Sequence, residues 1–96
     1  MKPPEPKEAD ITKSIRNYLK KVGIFHWKVW QGLGSAKGVS DILGCYRGRL
    51  LAIEVKTRKG KLSEHQDRFI QSVIANGGIA FVARSVDDVI KHLEGI

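Results

Sequence analysis

A single apolar stretch that contains two charges constrains the fold of this chain more than any other segment. Residues 50–56 have the sequence Leu-Leu-Ala-Ile-Glu-Val-Lys, which is typical of a buried strand except for Glu54 and Lys56. Because side chains alternate across a strand, Glu54 and Lys56 are expected on one face with their Cα atoms about 6.6 Å apart, and apolar side chains on the other. A carboxylate and an ammonium on one face can meet the same phosphate.

An aspartate on the preceding predicted strand extends this pair into a candidate metal site. Asp41 lies shortly before Arg47-Gly48, whose composition predicts a hairpin turn that folds the two strands together. Hard cations such as Mg²⁺ prefer oxygen ligands, and two carboxylates are enough for such a site. The alternative is that Glu54 and Lys56 form a solvated ion pair on a half-exposed strand, a common arrangement that contributes little stability.

The charge balance favours a polyanionic partner. Lys and Arg total 17 against 10 acidic residues, which gives a net charge of +7 and a pI near 9.8, and a domain this basic attracts nucleic acid. A membrane surface is the competing polyanion, but no apolar run approaches the roughly 18 residues of a spanning helix. Cys45 is the only cysteine, which excludes an internal disulfide and a zinc thiolate cluster. The expected location is the reducing cytoplasm of a bacterial or phage-infected cell.

Hydrophobic periodicity predicts a single domain over residues 7–96 with the element order αβββαβα, preceded by an extended proline-rich tail at residues 1–6. Helices are predicted over residues 7–22, from Ser63 to a stop at Asn76-Gly77-Gly78, and after Ser85. Strands are predicted over residues 25–30, 39–46, 49–57 and 79–83. The first three strands form an antiparallel meander, and a right-handed crossover sets the fourth parallel to the third.

Three ordered motifs along this chain are similar to those of a known superfamily. They are the Gly-Val-Ser-Asp segment at residues 38–41, the Ile-Glu-Val-Lys segment at residues 53–56 and the Gly-Lys-Leu-Ser-Glu-His-Gln segment at residues 60–66. In their order and spacing the chain resembles the P-D...(D/E)-x-K phosphodiesterase superfamily and, within it, the virus-type replication-repair nuclease domain. The likeness spans nearly the whole sequence. Ser40 stands where the superfamily pattern usually has proline.

This resemblance implies a fold, an activity and a set of site residues. The implied fold is α/β, a restriction-endonuclease-like αβββαβ core with a mixed sheet flanked by helices and an extra C-terminal helix. The implied activity is a metal-dependent DNA endonuclease, acting on branched DNA such as four-way junctions, and standalone members act as homodimers. Mg²⁺ or Mn²⁺ would be held by Asp41, Glu54 and the main-chain carbonyl of Val55. Lys56 is expected to offset charge at the phosphorus, since an ammonium beside carboxylates resists deprotonation.

Two further polar residues each have a structural and a catalytic interpretation. Glu8 in the first turn of the first helix either compensates the helix dipole or, as the resemblance implies, assists the metal site. Gln66 completes the S-x-x-Q pattern of a capping box with Ser63. The resemblance also makes Gln66 an active-site residue, and both roles can coexist.

Basic and aromatic residues supply candidate contacts to nucleic acid. Because phosphate contacts dominate nucleic-acid affinity, the loop cations Lys37, Arg58, Lys59 and Lys61 are candidate DNA-binding residues, with solvated loop charge as the alternative. The basic face of the first helix is most simply a solvated face, although a phosphate role remains open; it carries Lys13, Arg16, Lys20 and Lys21. Residues 32–38 match no phosphate-binding fingerprint and are expected to be a flexible connection.

Trp27 and Trp30 lie on opposite faces of one predicted strand, so at least one should be exposed, with core packing expected for Trp27. Two other functions compete with the nuclease: a non-catalytic basic DNA-binding accessory module, in which the acids merely balance charge, and a basic structural protein that binds RNA.

Overall fold

The computed structural model describes residues 4–30 and 36–96 of the chain, which form a mixed four-stranded sheet flanked by helices. The helices are α1 (Glu8–Lys21), α2 (Glu64–Ala75) and α3 (Val86–Glu94). The strands are β1 (His26–Lys28), β2 (Ile42–Tyr46), β3 (Arg49–Val55) and β4 (Ile79–Ala83). The predicted αβββαβα order is confirmed, including the extra C-terminal helix.

The sheet has the predicted topology. Its strand order is β1-β2-β3-β4, with antiparallel pairing between the first three strands and parallel pairing between β3 and β4. The hairpin between β2 and β3 turns at Arg47 and Gly48, whose φ angles of 50° and 78° are those of a two-residue turn that matches the strand twist. The β3-α2-β4 unit then carries the chain across to the parallel partner.

The β2–β3 ladder ends three pairs earlier than the sequence predicts, and an acidic side chain accounts for this. The last pair at that end is Ile42 with Ile53. Beyond it, the Val55 N–H donates to Asp41 Oδ2 at 2.7 Å. Asp41 Oδ2 thus accepts the N–H that the next backbone hydrogen bond between the strands would use. For this reason the predicted strand 39–46 begins only at Ile42.

The main core lies between the sheet and the two helices α1 and α3. Ile15 and Leu19 of α1, together with Val89 of α3, pack against Ile53 and Val55 of β3 in one continuous apolar cluster. These β3 side chains occupy the face opposite Glu54, as the alternation along a strand requires. The helical periodicity of the sequence therefore predicts the correct buried stripe.

Helix α2 covers the opposite face, on which Glu54 lies. Its first turn is fixed by the predicted capping box: Ser63 Oγ accepts from the Gln66 N–H at 3.2 Å, and Gln66 Oε1 accepts from the Ser63 N–H at 2.9 Å. At the start of α3, only half of a capping box forms. Ser85 Oγ accepts from the Asp88 N–H, but Asp88 Oδ2 accepts from the N–H of Arg84.

One expectation needs correction, and two others concern segments that lie partly outside the described residues. Trp27 does not pack in the core, because it is 43% exposed on an edge strand of only three residues, and Trp30, beyond that strand, is 83% exposed. Most of the segment 32–38, and residues 1–3 of the predicted tail, lie outside the described residues. Within the described ranges, no helix has the length and apolar character needed to cross a bilayer.

We expect Ser63→Ala to lower the free energy of unfolding by about 1 kcal/mol, because it removes the acceptor of the α2 cap. Ser72→Ala is the matched control: Ser72 is exposed in the body of the same helix, where alanine is the better helix former. Urea unfolding should therefore give changes of opposite sign for the two variants. Equal effects would show that the capping box contributes no stability.

Candidate active site

The two predicted metal ligands converge where β2 begins and β3 ends. Asp41 directly precedes β2, and Glu54 is the next-to-last residue of β3, so antiparallel pairing brings both to one edge of the sheet. They line an open cleft of about 300 Å³ whose other walls come from the loop before β2 and the first turn of α2. Its remaining lining residues are Lys37, Gly38, Val39, Ser63, His65 and Gln66.

The cleft wall depends on a glycine. Gly38 has a φ of 83°, and a Cβ at this position would lie 2.2 Å from the His65 carbonyl oxygen. Only glycine accommodates both this left-handed conformation and such a close approach of two backbones. The loop that leads to Asp41 therefore packs directly on the start of α2, which places Lys37 and His65 at the cleft.

Glu54 is the central side chain of the site and is almost completely buried, with 2% exposure. Its Oε2 accepts from Gln66 Nε2 at 3.3 Å and lies 3.9 Å from Lys56 Nζ. Its Oε1 is buried without a hydrogen-bond donor in the described part of the chain. The alternative of a solvated Glu54–Lys56 pair on a half-exposed strand is therefore wrong, since residues 51–55 are all buried.

Burial raises the pKa of Glu54 to about 9, assisted by the negative charge of Asp41. Lys56 acts in the opposite direction, and Glu8 adds a further small increase. At neutral pH without a cation, Glu54 therefore holds a proton, which relieves the repulsion between the two carboxylates. Such strongly shifted acids in clefts are characteristic of functional sites.

The predicted capping role of Gln66 is confirmed, and its side chain also contacts the acidic pair. Its backbone N–H and its Oε1 complete the α2 capping box, while its Nε2 donates to Glu54. The cap thereby holds the amide in one orientation and aims its donor at the buried carboxylate. One side chain ties the start of α2 to the acidic pair.

The position of Glu8 agrees with the helix-dipole interpretation, and its assistance to a metal site stays a prediction. Glu8 is an exposed residue in the first turn of α1, where a negative charge compensates the helix dipole. Its charge contributes to the raised pKa of Glu54, so the turn lies close enough to act on the acidic pair.

Ser40, the departure from the usual proline, is fully buried next to Asp41. Its Oγ has no hydrogen-bond partner among the described residues. An unpaired buried hydroxyl costs about 1–3 kcal/mol, so this substitution is tolerated at the site at the expense of stability.

The acidic pair fits a divalent cation. A cation between Asp41 and Glu54 would relieve the same repulsion that the proton relieves, and it would supply the partner that the buried Glu54 Oε1 lacks. In the described part of the chain, no group of three or more His, Cys, Asp or Glu side chains is placed to hold a metal. The ligands would thus be two carboxylates completed by oxygens of other kinds, with the Val55 carbonyl as the predicted third.

The predicted DNA-binding cations do not form one surface. Lys37 lines the acidic cleft. Arg58 and Lys59 lie beside a separate hollow formed with residues 5–7, where Arg58 approaches Glu5 at 3.7 Å. Lys61 is exposed on the same loop.

The sequence interpretation missed Arg84, which holds this loop in place. Its guanidinium donates to the carbonyl oxygens of Thr57, Arg58 and Gly60, directly after Lys56. A lone arginine at the end of β4 gives no sequence signal for this role, because the loop is distant along the chain.

The fold and this site define a nuclease-type α/β domain. Residues 5–87 match the family model of the VRR-NUC domain, and the chain therefore belongs to the VRR-NUC family, as the three motifs predict. Family membership implies a nuclease with DNA as its partner.

Two solved structures support the fold. One, described as a VRR_NUC domain protein, superposes with a TM-score of 0.78 at 18% identity, covering 95% of this chain and 88% of that chain. Another, described as a VRR_NUC domain, has a TM-score of 0.73 at 27% identity, covering 91% and 94%. No protein with a curated description matches.

The raised pKa of Glu54 predicts a pH-dependent stability in the absence of metal. Because the pKa rises from 4.5 to about 9 on folding, the folded state holds an extra proton between these values. The stability that this proton provides is complete below pH 4.5 and is lost as the pH rises toward 9. The loss is at most about 1.4 kcal/mol per pH unit.

Glu54→Gln removes this titration. The free energy of unfolding of the variant, relative to that of the native chain, should therefore increase with pH. Urea unfolding in chelator at about pH 5.5 and about pH 9 measures the difference. Glu94→Gln, at an exposed carboxylate on α3, is the control and should show no such trend. A constant difference for Glu54→Gln would contradict the assigned protonation.

Proposed function

We propose that this protein is a metal-dependent endonuclease that hydrolyses DNA phosphodiester bonds at the Asp41–Glu54 cleft. The observation that carries the proposal is Glu54 itself. A buried carboxyl with a pKa raised to about 9 faces a second carboxylate in an open cleft, with an ammonium 3.9 Å away. A purely structural strand has no use for this arrangement, because each of its polar groups is costly to bury.

Asp41, Glu54 and the Val55 carbonyl would hold Mg²⁺ or Mn²⁺. When bound, such a cation acidifies a water molecule and neutralises phosphate charge. The hydrogen bond from the Val55 N–H to Asp41 Oδ2 holds one carboxylate in place. Gln66 holds the other through its amide.

Lys56 supplies positive charge to the reacting phosphate. Its side chain is 13% exposed and its ammonium lies beside Glu54 Oε2, so it is partly desolvated, which strengthens its electrostatic effect. Negative charge builds on the phosphate oxygens as water attacks the phosphorus and the leaving oxygen departs. A fixed ammonium stabilises that charge without accepting a proton.

Lys37 would guide the DNA into the cleft. It is exposed, belongs to the loop before β2 and shares the cleft with no acidic side chain other than Asp41 and Glu54 among the described residues. A lysine in such a position contacts phosphate as a point charge, independent of base sequence. Arg58, Lys59 and Lys61 would contact the backbone farther along, on the loop that Arg84 holds.

The proposed substrate is branched DNA, including four-way junctions, and the proposed active species is a homodimer in a reducing cytoplasm. The single exposed cysteine, Cys45, is compatible with a reducing compartment. Branched substrates are inferred from the family resemblance, and a dimer would provide the two sites that paired incisions need.

The central test is cleavage of labelled branched and linear DNA with Mg²⁺, Mn²⁺ or chelator. The native chain should cut only with metal, whereas Asp41→Asn and Glu54→Gln should reduce cleavage to background, because each removes a ligand. Asp87→Asn and Glu94→Gln, at exposed positions on α3, are matched controls that should cut normally. DNA binding by every variant without any cutting would instead favour the accessory binding module.

Lys56→Ala separates metal binding from the chemical step. Since the ligands remain, calorimetry should detect metal binding close to that of the native chain, while single-turnover cleavage slows by about 100-fold to 1000-fold. An unchanged cleavage rate would remove Lys56 from the mechanism.

The dimer has a candidate surface at the edge strand β1. Phe25 and Trp27 are 69% and 43% exposed, and their ring centroids lie 5.7 Å apart, which makes an exposed aromatic patch next to an unpaired strand edge. We expect light scattering to give a dimer at micromolar concentration and Trp27→Lys to give the 10.7 kDa monomer. Ile74→Lys, at an exposed apolar residue of α2, is the control. A native chain that stays monomeric on junction DNA would defeat the paired-cut proposal.

A further inference from the structure

A second charged depression lies between α1 and β1, outside the acidic cleft. It has a volume of about 270 Å³, and none of its lining residues is acidic. Its polar lining consists of Thr12, Lys13, Arg16, Asn17, Lys20 and Lys28. We call this depression the α1–β1 groove.

The fold brings the four cations of the groove together from two elements. Lys13, Arg16 and Lys20 follow one another at helical spacings of three and four, so they form one row along α1. Lys28 comes from β1, where it pairs with Ile42. Because Ile42 is buried in the core beneath α1, Lys28 projects on the same face of the sheet as that helix.

No acidic side chain in the described part of the chain neutralises these cations. Lys13, Arg16, Lys20 and Lys28 make no ion pair within the described part of the chain. Arg16 Nε is buried and has no hydrogen-bond partner among the described residues, whereas a buried donor normally has one. Lys28 lies over the ring of Trp30 at 5.4 Å, which holds its charge near the groove.

The groove begins next to the active site. Lys28, in its lining, pairs with Ile42, the residue directly after Asp41, and the adjacent Val29 N–H donates to the Asp41 carbonyl oxygen at 2.8 Å. From Lys13 to Lys20 the helix rises about 10 Å. At about 3.4 Å of duplex axis per phosphate of one strand, this row matches about three successive phosphates.

We propose that the α1–β1 groove is a second DNA-binding site, which holds the sugar-phosphate backbone of a duplex arm leading away from the cleavage site. The inference rests on the proposed function for the choice of DNA as ligand. Lys13, Lys20 and Lys28 contact phosphates as point charges, and the terminal guanidinium nitrogens of the half-buried Arg16 donate to a phosphate oxygen. Thr12 and Asn17 add neutral hydrogen-bonding groups. The site reads no bases, and it supplies affinity that depends steeply on salt.

The test compares two double variants that remove the same charge from different places. Lys13→Gln/Lys20→Gln removes two of the three cations of the row along α1, whereas Lys21→Gln/Lys91→Gln removes two exposed lysines that do not line the groove. Fluorescence anisotropy in chelator measures binding of each full chain to a labelled duplex and a labelled four-way junction over a salt series. Thermal unfolding verifies that both variants fold.

The slope of log K for DNA binding against log salt concentration is negative. We expect its magnitude to fall by about 1.8 in the groove variant, which is about 0.9 for each lost phosphate contact, and to stay unchanged in the control. The same slope for both double variants would overturn the proposal.

The two proposals fail in different ways. A native chain that cuts DNA while both doubles bind alike rejects the groove and retains the nuclease. If the native chain never cuts DNA, but the salt dependence of DNA binding falls in the groove variant and not in the control, the nuclease proposal is rejected and the groove is retained.

Discussion

The hydrogen bond from the Val55 N–H to Asp41 Oδ2 joins the architecture of the sheet to the chemistry of the site. It occupies the position at which the β2–β3 ladder would otherwise continue. The two strands can therefore diverge without leaving this buried donor unsatisfied, which would cost about 1–3 kcal/mol. The cleft opens at that divergence, with Asp41 at its edge and Glu54 beside it. The same bond that ends the ladder holds a candidate metal ligand in place.

The buried Glu54 lowers the stability of the fold in the absence of a metal. A buried carboxyl avoids the desolvation of its charge by holding a proton, which is why its pKa rises to about 9. Gln66 and Lys56 both approach Oε2, whereas the buried Oε1 has no hydrogen-bond partner among the described residues. If the proposed cation binds there, the protein would be less stable without it, which is the usual relation between a binding site and the stability of its fold.

The arrangement of charge distinguishes two regions of the surface. The acidic pair and Lys37 share the cleft at the end of β3, while the α1–β1 groove carries four cations and no acid. Lys28 of the groove pairs with Ile42, the residue directly after Asp41, so the two regions are neighbours. DNA that reaches both regions would be cut at one and held at the other.

Several features follow from the sequence by itself because each is encoded locally. The alternation of residues 50–56 predicts that Glu54 and Lys56 share a face of the strand. The spacing of Ile15 and Leu19 predicts that these two side chains of α1 are buried together. The S-x-x-Q pattern predicts the cap of α2. The order of the three acidic and polar motifs likewise predicts the family. The tertiary structure alone decided how deeply Glu54 is buried, that Trp27 is exposed, that Arg84 holds the loop after Lys56 and that Lys28 joins the cations of α1. Each of these depends on contacts between segments far apart in the chain, and such contacts are set by the packing of whole elements, about which a local pattern carries no information.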